Sequence, residues 1–202
     1  MYPLNGATKG RDISMSKSPR AKLRFIRFVR GPDGTRDGAA RLYGRPGSYI
    51  LFPNEGKLVA QKSMTILLWV YPEGPKGPIF MYKTGTGIRM AGPRKISVRF
   101  RPLRRRILPR ALKGYVKPRT WQFVVASYDY DTATAKLWLN GKKVDQKKIG
   151  KFLLATDKNV KAGFISNRRG YFKGRLACIQ IFSKALKRRE IVNWAKRCFR
   201  SK

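Results

Sequence analysis

The strongest constraint on the fold is a pair of alternating segments within residues 120–144, which read TWQFVVASYDYDTATAKLWLNGKKV. Phe123 and Val125 occupy every second position in the first segment, and Leu137 and Leu139 do so in the second. This period of two is typical of β-strands, because successive side chains of a strand point to opposite faces of the sheet. The sequence therefore predicts two neighbouring strands and favours a protein built from sheets.

The second segment ends at Asn140-Gly141, the pair that favours a two-residue type I′ hairpin. Both central residues of this turn adopt a positive φ, which Asn and Gly tolerate best. A hairpin closed at this pair fixes the register of the strands on either side of it. The predicted cross-strand pairs are Trp138 with Lys143 and Lys136 with Asp145.

Asp129 and Asp131 lie between the two alternating segments, in a chain that has only 10 acidic residues. Asp and Thr side chains hydrogen-bond to nearby backbone groups in turns, so YDYDTAT predicts a tight turn. A catalytic pair of carboxylates is the alternative interpretation of the same two residues.

The segment SMTILLWVYPEG predicts a central strand, because a strand that is buried on both faces is continuously apolar. The two apolar faces are Ile66, Leu68 and Val70 on one side, and Leu67, Trp69 and Tyr71 on the other. The preceding sequence alternates short apolar runs with Gly-Pro-Asp-Gly and Gly-Arg-Pro-Gly turns. This spacing is expected of an antiparallel sheet protein.

The segment RKISVRFRP separates an apolar face from a cationic face and runs into RPLRRRILPRALKGYVKPR, a basic stretch interrupted by prolines. The residues predicted to point inward are Ile96, Val98 and Phe100, and those predicted to point outward are Lys95, Ser97, Arg99 and Arg101. The functional interpretation is a track that binds polyanions, and the alternative is a solvated strand face and loop. The candidate binding residues are Lys95, Arg99, Arg101, Arg104, Arg105, Arg106 and Arg110.

A helix is predicted only near the C-terminal end, in SKALKRREIVNWAKRCF. Ile191, Trp194 and Ala195 recur at helical spacing, and Glu190 stands where the acid of a capping box would lie. Lys187 takes the N-cap position, where a cation opposes the helix dipole. The glycines of GTGIRMAG lack the setting of a dinucleotide-binding loop and predict a turn.

The net charge of +37, from 47 Lys and Arg against 10 Asp and Glu, points to polyanionic partners. Such a charge attracts nucleic acids, sulfated glycans and anionic membranes alike. A disordered basic tail is excluded because 42% of the residues are hydrophobic and 12% are aromatic. No apolar run reaches the roughly 20 residues that a membrane span needs, and no signal peptide is recognisable.

The absence of His removes the commonest general base and transition-metal ligand, so triads and zinc sites lose their central component. The three glutamates, Glu55, Glu73 and Glu190, lie in predicted turns or at the helix start, so they do not form the carboxylate pair of a glycosidase. Cys178 and Cys198 form either a disulfide, worth about 3 kcal/mol in the chain-entropy model, or two buried thiols. We expect no enzyme activity, no cofactor and no metal site.

The order of these features resembles a laminin G-like domain of the concanavalin A-like lectin superfamily, in the branch that includes pentraxins. The resemblance covers nearly the whole chain and rests on YPLNGATKGRDIS, GPDGTRDGAARLYGRPGSYILFP, MTILLWVYPEG, the 120–144 hairpin segment and YFKGRLACIQIFSKALKRREI. More narrowly, the chain is similar to cnidarian extracellular proteins of this type.

The resemblance implies an all-β fold, a two-sheet antiparallel jelly-roll sandwich with a short C-terminal helix, formed by residues 1–202 as a single domain. It also implies a secreted protein and a Cys178–Cys198 disulfide that joins the last strand to the C-terminal tail. Many relatives carry calcium in their loops, but here only Asp33 and Asp37 lie close together in sequence, and the high positive charge disfavours the ion. The turn at Asp129 and Asp131 resembles the connecting turn of the family's hairpin.

The leading functional hypothesis is a non-enzymatic extracellular binding or adhesion module whose cationic surface binds sulfated glycans, as heparin-binding proteins do. Nucleic acid is the second candidate partner, because aromatic side chains such as Tyr115 and Trp138 stack on bases when they are exposed. A third hypothesis is a scaffold whose charge was raised by design or by drift and which binds polyanions through net charge alone. The sequence does not indicate the oligomeric state.

Overall fold

The computed structural model describes residues 1–104, 108–165, 170–195 and 197–199, with the side chain of Cys198 excluded. Within these residues, 14 strands form two antiparallel sheets of seven strands each. The predicted all-β jelly-roll sandwich with a short C-terminal helix is confirmed.

Sheet 1 contains strands that are far apart in the sequence. Its strands are β1 (Lys22–Arg24), β4 (Tyr49–Phe52), β6 (Lys76–Tyr82), β7 (Gly87–Ala91), β8 (Lys95–Arg99), β9 (Leu112–Tyr115) and β13 (Val160–Ala162). Their order across the sheet is β1-β4-β13-β6-β7-β8-β9.

Sheet 2 holds the predicted hairpin and the predicted central strand. Its strands are β2 (Ile26–Val29), β3 (Ala39–Tyr43), β5 (Met64–Pro72), β10 (Gln122–Asp129), β11 (Thr134–Leu139), β12 (Lys142–Lys148) and β14 (Lys173–Phe182). Their order is β12-β11-β10-β5-β14-β3-β2. Since β5 pairs with β10 on one side and β14 on the other, the prediction of a central strand is confirmed.

The core lies between the inner faces of the two sheets and is rich in aromatic rings. The ring of Phe52 contacts Tyr2 edge-on at a centroid distance of 5.0 Å and Phe80 at 5.4 Å. All three side chains are fully buried. Burying each such side chain stabilises the fold by about 1.5–3 kcal/mol, so the alternating apolar positions of both sheets hold the sandwich together.

The helix α1 (Arg188–Ala195) packs on the outer face of sheet 2 and is followed by a 3₁₀ turn (Arg197–Phe199). Ile191 and Leu186 form a second apolar cluster with outward residues of β5 and β10. Glu190 accepts a hydrogen bond from the Lys187 backbone N–H at 2.8 Å, so the predicted capping box is confirmed on its acidic side. A hydrogen bond from Lys184, together with that backbone N–H, holds the pKa of Glu190 below its ordinary value.

The turn of the predicted hairpin is confirmed, since Asn140 has a φ of 50° and Gly141 a φ of 80°. Trp138 lies opposite Lys143, as predicted. The turn between Asp129 and Thr134 also matches the prediction, because Asp129 accepts a hydrogen bond from the Asp131 backbone N–H at 3.1 Å.

The predicted pairing of Lys136 with Asp145 is wrong. The register shifts between Leu137 and Trp138, where the ladder between β11 and β12 is irregular, and Lys136 therefore lies opposite Gln146. Asp145 instead accepts hydrogen bonds from the Lys113 backbone N–H, at 2.8 Å, and from the Lys147 ammonium.

Candidate polyanion-binding face

The outer face of sheet 1 is cationic over its whole width. None of the seven strands of this sheet contains Asp or Glu. The strands carry eight basic residues, and none of the eight is buried. We call this surface the cationic face, and its basic strand residues are Lys22, Arg24, Lys76, Arg89, Lys95, Arg99, Lys113 and Lys161.

Strand alternation places these charges on the outside. In β8, Ile96 and Val98 are fully buried, whereas Lys95 and Arg99 are not. Phe100 continues the buried side of this strand at 2% exposure. The predicted inward and outward faces of this segment are therefore confirmed, and one strand both closes the core and presents cations to solvent.

A groove of about 250 Å³ lies on the cationic face over β6, β7 and β8. Gly87 belongs to its lining and has a φ of 143°. A Cβ at this position would approach the Phe80 carbonyl oxygen to 2.2 Å, so the position requires glycine. The groove is lined by Met81, Gly85, Gly87, Arg89, Ala91, Ser97, Arg99, Arg101 and Leu108.

Three arginines converge on this groove from neighbouring positions. Arg89 on β7 lies opposite Ser97 on β8, and Arg99 is two residues further along β8. Diagonal neighbours of this kind stand about 7–8 Å apart on one face of a sheet. Arg101 follows β8, and its backbone is fixed by a hydrogen bond from its N–H to Thr86 Oγ1 at 3.0 Å.

Several basic residues at this end of the face, among them Arg99 and Arg101, have no acidic partner among the described residues. Across the described ranges of the chain, no carboxylate forms a salt bridge with Lys95, Arg99, Arg101, Arg104 or Arg110. The guanidinium groups of Arg99 and Arg101 line the same groove, and each can form paired hydrogen bonds to a sulfate or phosphate. Both can therefore bind one ligand.

The structure brings together only part of the predicted track. Lys95 and Arg99 lie on β8, and Arg101 lines the groove. Arg104 is exposed beside a second hollow formed with Leu103 and Leu153, and Arg110 is exposed in the segment before β9. Arg105 and Arg106 lie outside the described residues, so their part in the track remains a prediction.

Arg89 lines the groove but is not among the candidate binding residues predicted from the sequence, because GTGIRMAG is interpreted from the sequence as a turn. The structure shows turns only at its two ends, where Gly85 donates its N–H to the Tyr82 carbonyl at 2.8 Å and Gly92 accepts a hydrogen bond from the Lys95 N–H at 3.3 Å. Gly87–Ala91 forms β7, with Ile88 and Met90 buried and Arg89 outward. The alternation of apolar and basic residues in this short segment is the signal that identifies the strand.

Only one of the two predicted stacking aromatics is available. Tyr115 is 78% exposed and lies opposite Lys95 at the edge of the cationic face. Trp138 is half-buried against the apolar cluster beneath α1, so the interpretation of Trp138 as an exposed aromatic is wrong. Sequence alternation gives the side of the strand but does not reveal that a helix covers it.

Two of the acids weighed as catalytic or metal-binding groups, Glu73 and Asp33, are held in structural contacts. Glu73 accepts hydrogen bonds from Arg41 at 2.8 Å and from Arg175 at 3.0 Å. Asp33 accepts hydrogen bonds from the Thr35 backbone N–H at 3.1 Å and hydroxyl at 2.6 Å. In the parts of the chain that the structure describes, no group of three or more His, Cys, Asp or Glu side chains is positioned to hold a metal ion.

The predicted disulfide falls partly outside the described residues. Cys178 is buried in β14, and its sulfur accepts a hydrogen bond from Gln180 Nε2 at 3.2 Å. The side chain of Cys198 is not described, so the Cys178–Cys198 bridge remains a prediction. No helix among the described residues is long and apolar enough to cross a membrane.

The solved structures with a similar fold include several toxin binding domains. The binding domain of Paraclostridial Mosquitocidal Protein 1 superposes with a TM-score of 0.74 at 17% identity, over 95% of this chain and 50% of that chain. The binding domain of botulinum neurotoxin serotype D superposes with a TM-score of 0.72 at 15% identity, over 93% of this chain and 48% of that chain. The botulinum neurotoxin serotype D ligand-binding domain in complex with N-acetylneuraminic acid superposes with a TM-score of 0.71 at 15% identity, over 92% of this chain and 47% of that chain.

This chain therefore spans about half the length of those domains, and the likeness concerns the fold. No curated protein sequence matches the chain. A family profile described as the concanavalin A-like lectin/glucanases superfamily, of the laminin G type, matches residues 44–192. Because this match covers most of the sequence, the chain belongs to the laminin G-like family of the concanavalin A-like lectin/glucanases superfamily.

Proposed function

We propose that the chain is a non-enzymatic binding module that recognises sulfated glycans through the cationic face of sheet 1. The observation that carries the proposal is the convergence of Arg89, Arg99 and Arg101 on one groove, on a sheet face whose strands contain no acid. The proposed protein is secreted and acts as one domain over residues 1–202, as the resemblance to pentraxin-branch and cnidarian extracellular proteins implies.

The chemistry of the groove suits a sulfated sugar. Guanidinium groups bind sulfate through two parallel hydrogen bonds, and closely spaced cations gain affinity by releasing counterions from the ligand. A volume of about 250 Å³ is smaller than the roughly 300–1,000 Å³ of a pocket that encloses a drug-sized ligand. The groove would hold one anionic group or sugar unit while the rest of the polymer lies on the open face.

The comparisons support a binding module of this kind. The similar structures are binding domains, and one of them is in complex with N-acetylneuraminic acid, an anionic sugar. A hydrolase is the less favoured alternative, because Glu73 is hydrogen-bonded to two arginines and Glu190 is hydrogen-bonded to the backbone at the start of α1. Since no metal-binding group is part of the proposed site, we expect a chelator to leave glycan binding unchanged.

A second candidate function is polyanion binding, including nucleic-acid binding, through net charge alone. The observation that favours it is that exposed cations also occur far from the groove. Lys187, Arg188 and Arg189 are exposed at the start of α1, on the opposite side of the sandwich. The two candidates differ in whether the position of the charge matters.

Two triple variants with the same net charge separate these candidates. The groove variant is Arg89→Gln, Arg99→Gln and Arg101→Gln, and the matched control is Lys187→Gln, Arg188→Gln and Arg189→Gln. Affinity for immobilised heparin and for duplex DNA is measured over a series of salt concentrations.

If the proposed function is correct, the groove variant binds heparin about 30-fold more weakly, because each of the three lost contacts contributes roughly 0.7 kcal/mol of binding free energy. Its slope of log affinity against log salt also becomes shallower by about two to three. The control variant changes by less than about threefold. Equal losses for both variants would show that net charge alone drives binding, and an identical pattern on DNA would remove the preference for glycans.

A further inference from the structure

We infer that the bound polymer crosses the strands of sheet 1, from the edge at β8 and β9 to the opposite edge at β1, instead of following β8 into the loop beyond it. This inference rests on the proposed function. It specifies an extended, linear polyanion as the ligand and defines a second contact region, formed by Lys22, Arg24 and Lys161, that the sequence pattern does not single out.

A continuous row of paired residues crosses sheet 1 from β8 to β1. The pairs join Arg99 on β8 to Gly87 on β7, Gly87 to Met81 on β6, and Met81 to Lys161 on β13. Paired residues of neighbouring strands share one face, so all members of a row point to the same side. The complete row is Arg99, Gly87, Met81, Lys161, Leu51 and Lys22.

A second row runs beside the first. It starts at Lys113 on β9 and passes through Ser97 and Arg89 to Pro78 on β6. The row is Lys113, Ser97, Arg89 and Pro78. The Pro78 carbonyl also accepts a hydrogen bond from the Gly163 N–H, just after β13, at 2.9 Å, and at the opposite edge of the sheet Tyr49 is paired with Arg24.

The two rows place cations at both ends of the face and between them. Five strand intervals separate β8 from β1, which corresponds to about 24 Å at the usual spacing of about 4.8 Å. The cations are separated by small or apolar groups: Gly87 and Met81 lie buried at the bottom of the groove, and Leu51 is partly exposed. A linear polymer can pass over the groove and Leu51 while its anionic groups reach cations along the rows.

Tyr49 adds a flat surface within this path. The Lys161 ammonium lies 5.0 Å from the centroid of the Tyr49 ring, and Tyr49 is paired with Arg24 at the edge of the sheet. An aromatic ring beside two cations can contact the apolar face of a sugar while the cations bind its sulfate groups. These three residues come from β1, β4 and β13.

The path along β8 is less suited to a polyanion. Beyond Arg101 the chain turns, and the Leu103 N–H donates a hydrogen bond to the Leu153 carbonyl at 2.8 Å. Leu103 and Leu153 are 36% and 40% exposed beside Arg104. Exposed leucines interrupt the cationic surface in this direction, whereas the strands of sheet 1 continue it across the sheet.

The test uses heparin fragments of defined length and two matched double variants. The far-edge variant is Lys22→Gln with Arg24→Gln, and the loop variant is Arg104→Gln with Arg110→Gln. All four side chains are exposed, so both variants remove two cations without disturbing the core. Affinities of the folded proteins for a heparin tetrasaccharide and a heparin dodecasaccharide are compared with those of the groove variant.

We expect the far-edge variant to bind the dodecasaccharide about five- to tenfold more weakly than the unmodified protein, and to bind the tetrasaccharide unchanged. The loop variant should change the affinity for either fragment by less than about twofold. The unmodified protein should bind the dodecasaccharide more tightly than the tetrasaccharide, by more than the statistical gain of a longer lattice.

Each other outcome overturns a defined part of the reasoning. If the groove variant loses affinity but the far-edge variant does not, or if the loop variant loses more, the crossing path is wrong and the proposed function stands. If the far-edge loss is equal for both fragments, the path is also wrong. If the groove variant retains full affinity for both fragments, the proposed function itself is wrong.

Discussion

Replacing Glu73 with glutamine is expected to destabilise the fold, because this carboxylate is held between two guanidinium groups. Glu73 follows β5, and its Oε2 accepts hydrogen bonds from Arg41 Nε at 3.2 Å and Nη2 at 2.8 Å. Its Oε1 accepts a hydrogen bond from Arg175 Nε at 3.0 Å. Arg41 and Arg175 are paired on β3 and β14, so the carboxylate neutralises two like charges that lie opposite each other.

The burial of these groups sets the size of the effect. The Glu73 side chain is 8% exposed, whereas those of Arg41 and Arg175 are 35% and 27% exposed. Removing one partner of a fully buried ion pair costs about 3–5 kcal/mol, and solvent at the arginines lowers that cost. We therefore expect the free energy of unfolding to fall by about 2 kcal/mol, which lowers Tm by about 4–8 °C for a chain of this length.

Urea denaturation is the suitable assay, because guanidinium chloride would screen the charges under test. Glu55→Gln is the matched control: it makes the same replacement and the same change in net charge at an exposed residue for which the structure shows no salt bridge. Adding Arg175→Met to Glu73→Gln should recover part of the loss, since it removes one of the two unpaired cations. A Glu73→Gln variant no less stable than Glu55→Gln would refute the reasoning.

Asp12, the predicted disulfide and Gly87 provide three further tests. Burial alone would raise the pKa of Asp12, but hydrogen bonds from the N-terminal amine and nearby serine groups hold it well below its ordinary range. The ionised Asp12 therefore stabilises the fold fully above about pH 4, and this stabilisation is lost as the pH falls toward the folded-state pKa. We expect the free energy of unfolding of Asp12→Asn to decrease less than that of the unmodified protein between about pH 4 and pH 2. Thiol titration of the denatured, unreduced protein should detect no free thiol, whereas two thiols per chain would exclude the Cys178–Cys198 bridge. Gly87→Ala should lower the free energy of unfolding, measured by urea denaturation, by about 3 kcal/mol, because its Cβ would meet the Phe80 carbonyl oxygen. The control Gly56→Ala, also at positive φ but with open space around it, should lower it by about 1 kcal/mol. Similar decreases for the two variants would contradict the clash at Gly87.

Local chemistry in the sequence predicted much of the fold. Asn140-Gly141 defines its hairpin because a positive φ at both residues selects those residue types. Alternation along Ile96 and Val98 gives the orientation of β8, and the position of Glu190 gives the start of α1. Each of these features depends on residues within a few positions of one another.

The features that the sequence did not reveal depend on contacts between distant segments. The bulge after Leu137 moves Asp145 out of its predicted pair, and no residue type in β11 or β12 marks it. The basic residues of the cationic face come from β1, β6, β7, β8, β9 and β13, and the order of these strands across sheet 1 is a property of the packed sandwich. Lys22 and Arg99 therefore share a row of sheet 1 although 76 residues lie between them in the sequence.

Chemical-shift mapping of backbone amides tests the central claim most directly. A heparin dodecasaccharide is titrated into the ¹⁵N-labelled protein at roughly physiological salt, which largely screens the attraction between exposed charges more than about 8 Å apart. We predict saturable shifts in β7 and β8, extending through β13 to β1, with small changes in α1 and in the exposed helix cations. Shifts centred on α1, or spread evenly over all exposed basic residues, would contradict a binding site on sheet 1.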